Sequence, residues 1–235
     1  MAKKLYEESN IRDIADAIRE SNGSTDSYKP SEMAGAIRGI NEFVDFMTTI
    51  GFQTAVFPNN YDLYLYVPNI TGFQVGAFNN TTGLRSITLK NNNKDLVWNG
   101  TNVFYCSSTG ASTLELIDLR EFSTKIMNGT NCFFYNRKLT RILGELDFTN
   151  ATTLTNCFAL CDLLQSVTIK KESVFVSVSF SHSALLTDES IQNIIDALAD
   201  LTGKTSQTVT FHSSVTTKLT DEQYMTIVSK NWLLG

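Results

Sequence analysis

The sequence predicts an α+β protein in which a β-solenoid lies between an N-terminal helical hairpin and a C-terminal mixed α/β cap. Three observations lead to this prediction. Residues 1–41 show helical spacing of apolar residues, residues 42–186 repeat a short string, and residues 187–235 return to helical spacing around one alternating strand. A chain of 235 residues with 42% hydrophobic residues can bury a sizeable core.

Residues 1–41 are predicted to form two short amphipathic helices joined by the loop GSTDSYK. Apolar residues recur at i, i+3, i+4 and i+7 in the first helix, and Pro30 suits the first turn of the second. About 40 residues rarely fold alone. We therefore expect this segment to dock onto a partner, which could be the next domain, another copy or a separate surface. The docking residues would be Ile11, Ile14, Ile18, Met33, Ile37 and Ile40.

An internal repeat predicts that residues 42–186 form a solenoid of stacked coils. The string Thr-Asn-x-Phe occurs at 101–104, 130–133 and 155–158, and Phe78 and Phe180 extend the series. Apolar ladders of the form L-x-x-I-x-L follow, as at Leu84-Ile87-Leu89. A short coil cannot bury its apolar side alone, so the coils are expected to stack around one shared core.

Alternation such as Ile87-Thr88-Leu89 predicts a short strand with one side turned outward. The outward positions would make a flat, polar and extended binding face, suited to a protein or a polysaccharide rather than to an enclosed small ligand. The alternative for the tyrosines is that residues 1–60 cover them. The candidate binding face consists of Tyr64, Tyr66, Arg85, Thr88, Glu115, Asp118, Arg141, Gln165 and Thr168.

The C-terminal segment returns to helical patterns. Thr187 is predicted to cap a helix that ends at Gly203, and residues 208–211 are predicted to form a strand. Thr220 and Gln223 have the spacing of a capping box at the start of a last helix. Such a segment could cover the open end of the stacked coils.

Catalytic and metal motifs are not found in the sequence, so we expect no enzyme, cofactor or metal site. Glu145 and Asp147 would form a carboxylate pair on a strand, and Ser181, His182 and Asp188 are polar neighbours; both sets fit a solvated face better than catalysis. The cysteines are expected to be reduced and buried, with a bridge between Cys132 and Cys157 as the alternative. They are Cys106, Cys132, Cys157 and Cys161.

The charge and hydropathy of the chain argue against two kinds of partner, nucleic acid and the membrane interior. The net charge of −5 and the pI near 5.1 argue against nucleic-acid binding. No window approaches the length of a membrane span, and MAKKLYEESN is not a secretory signal, so we expect synthesis in the cytoplasm and no membrane insertion.

The repeat, with its Phe, its Cys and its L-x-x-I-x-L ladder, resembles the BspA-type leucine-rich repeat of bacterial surface proteins and phages. The string LLTDESIQNIIDALADLTGKTSQTVTF at 185–211 resembles the closing segment of such arrays in phage and prophage proteins. The string NIRDIADAIRESNGSTDSYKPSEMAGAIRGI at 10–40 is similar to an N-terminal module of tail or baseplate proteins in phages of Gram-positive bacteria. The resemblance implies a leucine-rich-repeat β-solenoid.

The resemblance also implies a non-enzymatic virion protein of a phage tail or baseplate. Its N-terminal module would bind other virion proteins or itself, for instance as a homotrimer, and its solenoid would recognise a host surface protein or polysaccharide. The alternative is a bacterial surface or secreted interaction protein with the same repeats. A third alternative is a cell-wall polysaccharide hydrolase, which would need a carboxylate pair in a cleft.

Overall fold

The computed structural model describes residues 56–66, 72–73, 75–90, 95–98, 101–107 and 112–235. The chain divides into two compact units, Met1–Met47 and Thr48–Gly235, and all described residues belong to the second. The predicted helical hairpin and its docking residues (Ile11, Ile14, Ile18, Met33, Ile37 and Ile40) lie outside the described residues. The domain boundaries predicted at 41 and 186 stay predictions.

Within the described residues, eight strands form one sheet in the order β1-β3-β5-β7-β6-β4-β2, with β8 also paired to β7. All of these pairs are parallel. The strands are β1 Val56–Tyr66, β2 Gly72–Phe73, β3 Thr82–Lys90, β4 Asp95–Trp98, β5 Leu116–Asp118, β6 Ser123–Ile126, β7 Arg141–Asp147 and β8 Ser166–Ile169.

The predicted leucine-rich-repeat β-solenoid, with its α+β class, is wrong. The described residues form mostly parallel strands in a curled half-barrel sheet with few helices. A leucine-rich repeat places one strand per repeat on one wall and a helix or 3₁₀ turn on the other. Here β7 pairs with β5 through its first half and with β6 through its second half, so the two branches of strands join into one sheet.

The joint depends on Gly144 in the middle of β7. Its φ of +102° lies in a region that L side chains rarely adopt, and a Cβ there would lie 2.7 Å from the carbonyl of Leu119. Glycine at this position therefore lets β7 bend, so that its first half pairs with β5 and its second half with β6.

The inner side of the sheet is a continuous apolar core. One in-register row crosses the strands, and its members are at most 8% exposed: Leu63, Ile87, Ile117, Ile142 and Val167. Beside it runs a stack of phenylalanine rings, which we call the Phe column: Phe78, Phe104, Phe133, Phe158, Phe180 and Phe211. Its neighbouring ring centroids lie 4.6–6.2 Å apart with interplanar angles of 6–20°.

The repeated Thr-Asn-x-Phe string has a backbone explanation. Asn102, Asn131 and Asn156 have φ values of 61°, 54° and 54°, in the left-handed region that asparagine tolerates better than most residues. Each such turn hydrogen-bonds to the next along the stack; for example, the Asn131 amide donates to the Thr155 carbonyl at 2.9 Å. The repeat therefore encodes a turn that stacks on its own copies and directs each Phe inward.

The C-terminal residues form a separate parallel sheet and short helices. The sheet has the order β11-β10-β9. Its strands are β9 Val178–Phe180, β10 Gln207–Phe211 and β11 Trp232–Leu234, and the helices are α1 Asp188–Ala197, α2 Ser213–Thr216 and α3 Asp221–Ser229.

The predicted Thr187 cap and the Thr220–Gln223 capping box are confirmed. The predicted helix end at Gly203 is wrong. Helix α1 stops at Ala197 because Leu198 becomes extended and bridges to Val174.

Two side chains of helix α1 form hydrogen bonds with the backbone at the edge of β8, as a neighbouring strand would. Ser190 Oγ accepts from the Val167 amide at 2.9 Å and donates to the Val167 carbonyl at 3.0 Å. The Asn193 side chain does the same for Ile169, at 2.7 and 3.1 Å. These bonds satisfy backbone groups that an open sheet edge would leave to other partners.

Candidate functional site

The candidate site lies on the side of β1, β3, β5, β7 and β8 that faces away from the core, which we call the outer face. Side chains alternate along a strand, so the residues on either side of the buried Leu63 row point outward. One outer row is Asp62, Ser86, Leu116, Arg141 and Ser166, and the next is Tyr64, Thr88, Asp118 and Leu143.

A shallow depression of about 340 Å³ lies in the outer face, and we call it the charged depression. It is lined by Asp62, Arg85, Ser86, Glu115, Leu116, Thr140 and Arg141. The volume falls at the lower end of the range for small-ligand sites. Three predicted binding residues meet there: Arg85, Glu115 and Arg141.

Asp62 and Arg85 form a fixed pair at one side of the depression. Arg85 Nε donates to Asp62 Oδ1 at 2.9 Å, its Nη2 contacts Asp62 Oδ2, and Ser86 Oγ donates to Asp62 Oδ1 at 2.7 Å. A register shift in β1 between Tyr61 and Asp62 accompanies this pairing. The hydrogen bonds from Arg85 and Ser86 lower the pKa of Asp62 to about 2, so this carboxylate stays ionised.

Glu115 and Arg141 lie next to this pair on the neighbouring strands, and both are exposed. Backbone hydrogen bonds extend past the strand starts and hold this region in place: Glu115 N donates to the Arg85 carbonyl at 2.7 Å, and Thr140 N to the Glu115 carbonyl at 2.9 Å. In the part of the chain that the structure describes, neither Glu115 nor Arg141 forms a side-chain ion pair. Their charged groups are available to a ligand.

Tyr64 stands on the outer face beside the depression. It follows Asp62 by two residues in β1, so both side chains lie on one side, about 7 Å apart along the strand. Its side chain is 61% exposed. Tyr66 lies in β1 with Lys90 opposite in register, and only its backbone is described.

The other predicted binding residues differ in exposure. Thr88 is half-buried, whereas Gln165 and Thr168 are exposed on the β8 side of the outer face. Asp118 is only 8% exposed, and Arg120 Nη2 holds its carboxylate at 2.7 Å. The Asp118 carboxylate is therefore already paired with Arg120.

Asp62 and Leu116 are lining residues that the sequence prediction missed. The apolar-aromatic run at 63–67 predicts a strand that starts at Leu63, whereas β1 begins seven residues earlier, at Val56, and therefore includes Asp62. The alternation Asp62-Leu63-Tyr64 would have placed Asp62 beside Tyr64 on the outward side. Its pairing with Arg85 connects two repeats, and no local pattern indicates such a bond.

Glu145 and Asp147, the predicted carboxylate pair, are in different environments. Glu145 is exposed and lies opposite Thr168, whereas Asp147 is 8% exposed. Burial works to raise the pKa of Asp147, but hydrogen bonds from Lys170 (2.7 Å) and Thr149 outweigh it and lower the pKa. A general acid in a glycosidase needs the opposite shift.

Ser181 and His182 are neighbours, with Ser181 Oγ 3.2 Å from His182 Nδ1 on an exposed turn. Asp188 starts helix α1. In residues 112–235, which are continuously described, no hydrogen bond joins Asp188 to His182, so the three residues do not form a triad there.

All four cysteines are buried and form no disulfide: Cys106, Cys132, Cys157 and Cys161. Burial raises the pKa of Cys157, and the neighbouring Cys132 raises it further. Burial raises the pKa of Cys161 to about 12, and its thiol donates to the Phe133 carbonyl at 3.1 Å. High pKa values keep these two thiols protonated and therefore poorly nucleophilic.

Among the described residues, no group of three or more His, Cys, Asp or Glu side chains is arranged to hold a metal ion. In the same residues, no helix has the length and apolar character needed to cross a bilayer.

Comparison of the chain with protein-family models, with curated proteins and with solved structures gives no match.

Proposed function

We propose that this chain is a non-enzymatic virion protein of a phage tail or baseplate, and that its outer face recognises the surface of the host cell. The observation that supports this function most is the outer face itself. It is open and polar, and it spans five parallel strands, with charged side chains on neighbouring strands. Such a surface suits an extended partner better than a small substrate.

The virion part of this function is supported by sequence. The string at 10–40 resembles attachment modules of tail and baseplate proteins, and the string at 185–211 resembles closing segments in phage proteins. In this proposal residues 1–41 bind other virion proteins or sister copies. The resemblance at 10–40 does not depend on the leucine-rich-repeat fold, which the structure corrects.

A binding role also fits the chemistry of the carboxylates. Asp147 is held by Lys170 and Thr149, and Asp62 is held by Arg85 and Ser86. Both carboxylates have lowered pKa values, so they serve as fixed acceptors rather than as proton donors at neutral pH.

Mass spectrometry of purified phage particles tests the virion role directly. We expect this chain among the particle proteins, in constant ratio to a tail protein across independent preparations. Its absence from intact particles that do adsorb to cells would overturn the proposal.

Incubation with host cell wall tests the non-enzymatic part. We expect binding without release of soluble fragments. Fragments that disappear in the Glu145→Gln or Asp147→Asn variant would show a hydrolase instead.

A further inference from the structure

We infer that the charged depression and Tyr64 together form a binding site for a neutral, hydroxyl-rich glycan, with Tyr64 as the ring on which a sugar face stacks. This inference rests on the proposed recognition function and names its ligand class.

The first support is the balance of charge. Asp62 and Arg85 neutralise each other through their paired hydrogen bonds. Glu115 and Arg141 add one further charge of each sign. The charges that line the depression therefore sum to zero, so its lining gives no preference for a polyanion or a polycation.

The second support is the mixture of donors and acceptors. The Arg141 guanidinium offers only donors, and the Glu115 carboxylate offers only acceptors. A sugar hydroxyl both donates and accepts, so vicinal hydroxyls match such a pair without any charge on the ligand.

The third support is the position of Tyr64. Tyr64 is 61% exposed and lies one strand period from Asp62 on the same face. The flat apolar face of a tyrosine, beside polar groups, gives a ligand ring contact area while its hydroxyls reach the depression. An open depression of about 340 Å³ also leaves room for a chain that continues on both sides.

A protein ligand is the competing partner, and the structure favours it less. Protein hot spots are centred on desolvated apolar pockets, whereas the charged depression is polar and open. Leu116 is the sole aliphatic residue among its lining residues.

The test is an array of neutral and acidic oligosaccharides probed with the full chain, followed by titration of the best neutral binder. We expect neutral oligosaccharides to bind. Tyr64→Ala should weaken binding about tenfold, whereas Tyr64→Phe, which keeps the ring, should stay within about twofold. Arg141→Gln and Glu115→Gln should each weaken binding by about three- to tenfold.

Tyr224→Ala is the matched control, because Tyr224 is also an exposed tyrosine (49%) but lies on helix α3. It should leave binding unchanged. Equal loss in Tyr64→Ala and Tyr224→Ala, binding to acidic glycans only, or binding only to a host protein would each overturn the inference.

The outcome separates this inference from the proposed function. If the chain is in the virion but no neutral glycan binds, the ligand class is wrong and the virion role stands. If glycan binding depends on Tyr64 but the chain is absent from particles, the glycan site stands and the virion role fails.

Discussion

The Phe column and the outer face belong to the same stacked repeats but follow different physical rules. The Phe column is buried, apolar and continuous from Phe78 to Phe211, with rings stacked at each step. The outer face is polar, and its residues change character from strand to strand, from Asp62 to Leu116 to Arg141. We therefore expect the Phe column to determine the stability of the fold and the outer face to determine which partner is bound.

The largest effect is expected from a break in the Phe column. Phe133 is fully buried between Phe104 and Phe158. Phe133→Ala should lower the free energy of unfolding by about 3–5 kcal/mol, because it removes a stacked ring and leaves a cavity. Chemical denaturation monitored by circular dichroism measures this. Phe175→Ala is the control, since Phe175 is 37% exposed, and it should cost about 1 kcal/mol or less. Equal losses would show that the column has no special role.

A smaller effect is expected at a buried polar residue beside the column. Asn136 is 3% exposed, and its Nδ2 donates to the carbonyls of Phe104 (2.6 Å) and Phe133 (3.0 Å). Asn136→Ala should cost about 1–3 kcal/mol, because two buried carbonyls lose a donor. Thermal unfolding compares it with Asn150→Ala at an exposed turn position, which should stay near the wild type. An unchanged melting temperature in Asn136→Ala would contradict the assigned role.

Acid should weaken the protein through its paired carboxylates. The folded-state pKa values of Asp62 and Asp147 lie below their unfolded values. Their contribution is therefore complete above about pH 4 and is lost as pH falls through the folded pKa values, which for Asp62 is about 2. Denaturation at a series of pH values should show a decline over this window.

The Asp147→Asn variant isolates one part of that decline. It should cost about 1–2 kcal/mol at pH 7, since Asp147 is mostly buried and bonded to Lys170 and Thr149. It should also show a smaller loss between pH 4 and pH 2. A variant with the wild-type pH dependence would mean that Asp147 is not linked to stability.

The smallest stability effects are expected on the outer face. Gln165→Ala and Thr168→Ala remove exposed side chains and should change the unfolding free energy by about 0.5 kcal/mol or less. The same denaturation measurements check this. A loss above about 2 kcal/mol at either position would show that the outer face also supports the fold.

Sequence patterns revealed the strands that alternate clearly but not how the strands join. Ile87-Thr88-Leu89 and Val167-Thr168-Ile169 lie in β3 and β8 as predicted. Strand β2 is too short to show a period, and β4 and β6 lie outside the repeated L-x-x-I-x-L ladders that indicate the other strands. The joining of the two branches depends on the backbone of Gly144 against Leu119, a tertiary contact that no local pattern encodes.

Local sequence patterns also predict the Phe column and the candidate site only in part. The phenylalanines from Phe78 to Phe180 were found by repetition, whereas Phe211 was missed because it lies in β10 outside the repeats. Outward positions such as Arg85 and Arg141 followed from alternation. The Asp62–Arg85 pair did not, because it depends on which strands become neighbours.

Binding to intact host cells after the outer face is blocked tests directly whether this face recognises the host. Because the native cysteines at 106, 132, 157 and 161 are buried, a maleimide-linked polymer can be attached selectively to an added surface cysteine. Gln165→Cys places the polymer on the outer face, and Ser123→Cys places it at an exposed position on β6, in the other branch of the sheet. We predict that the polymer at position 165 abolishes cell binding while the polymer at position 123 leaves it unchanged. Equal binding by the two labelled proteins, or loss only with the polymer at position 123, would contradict the account.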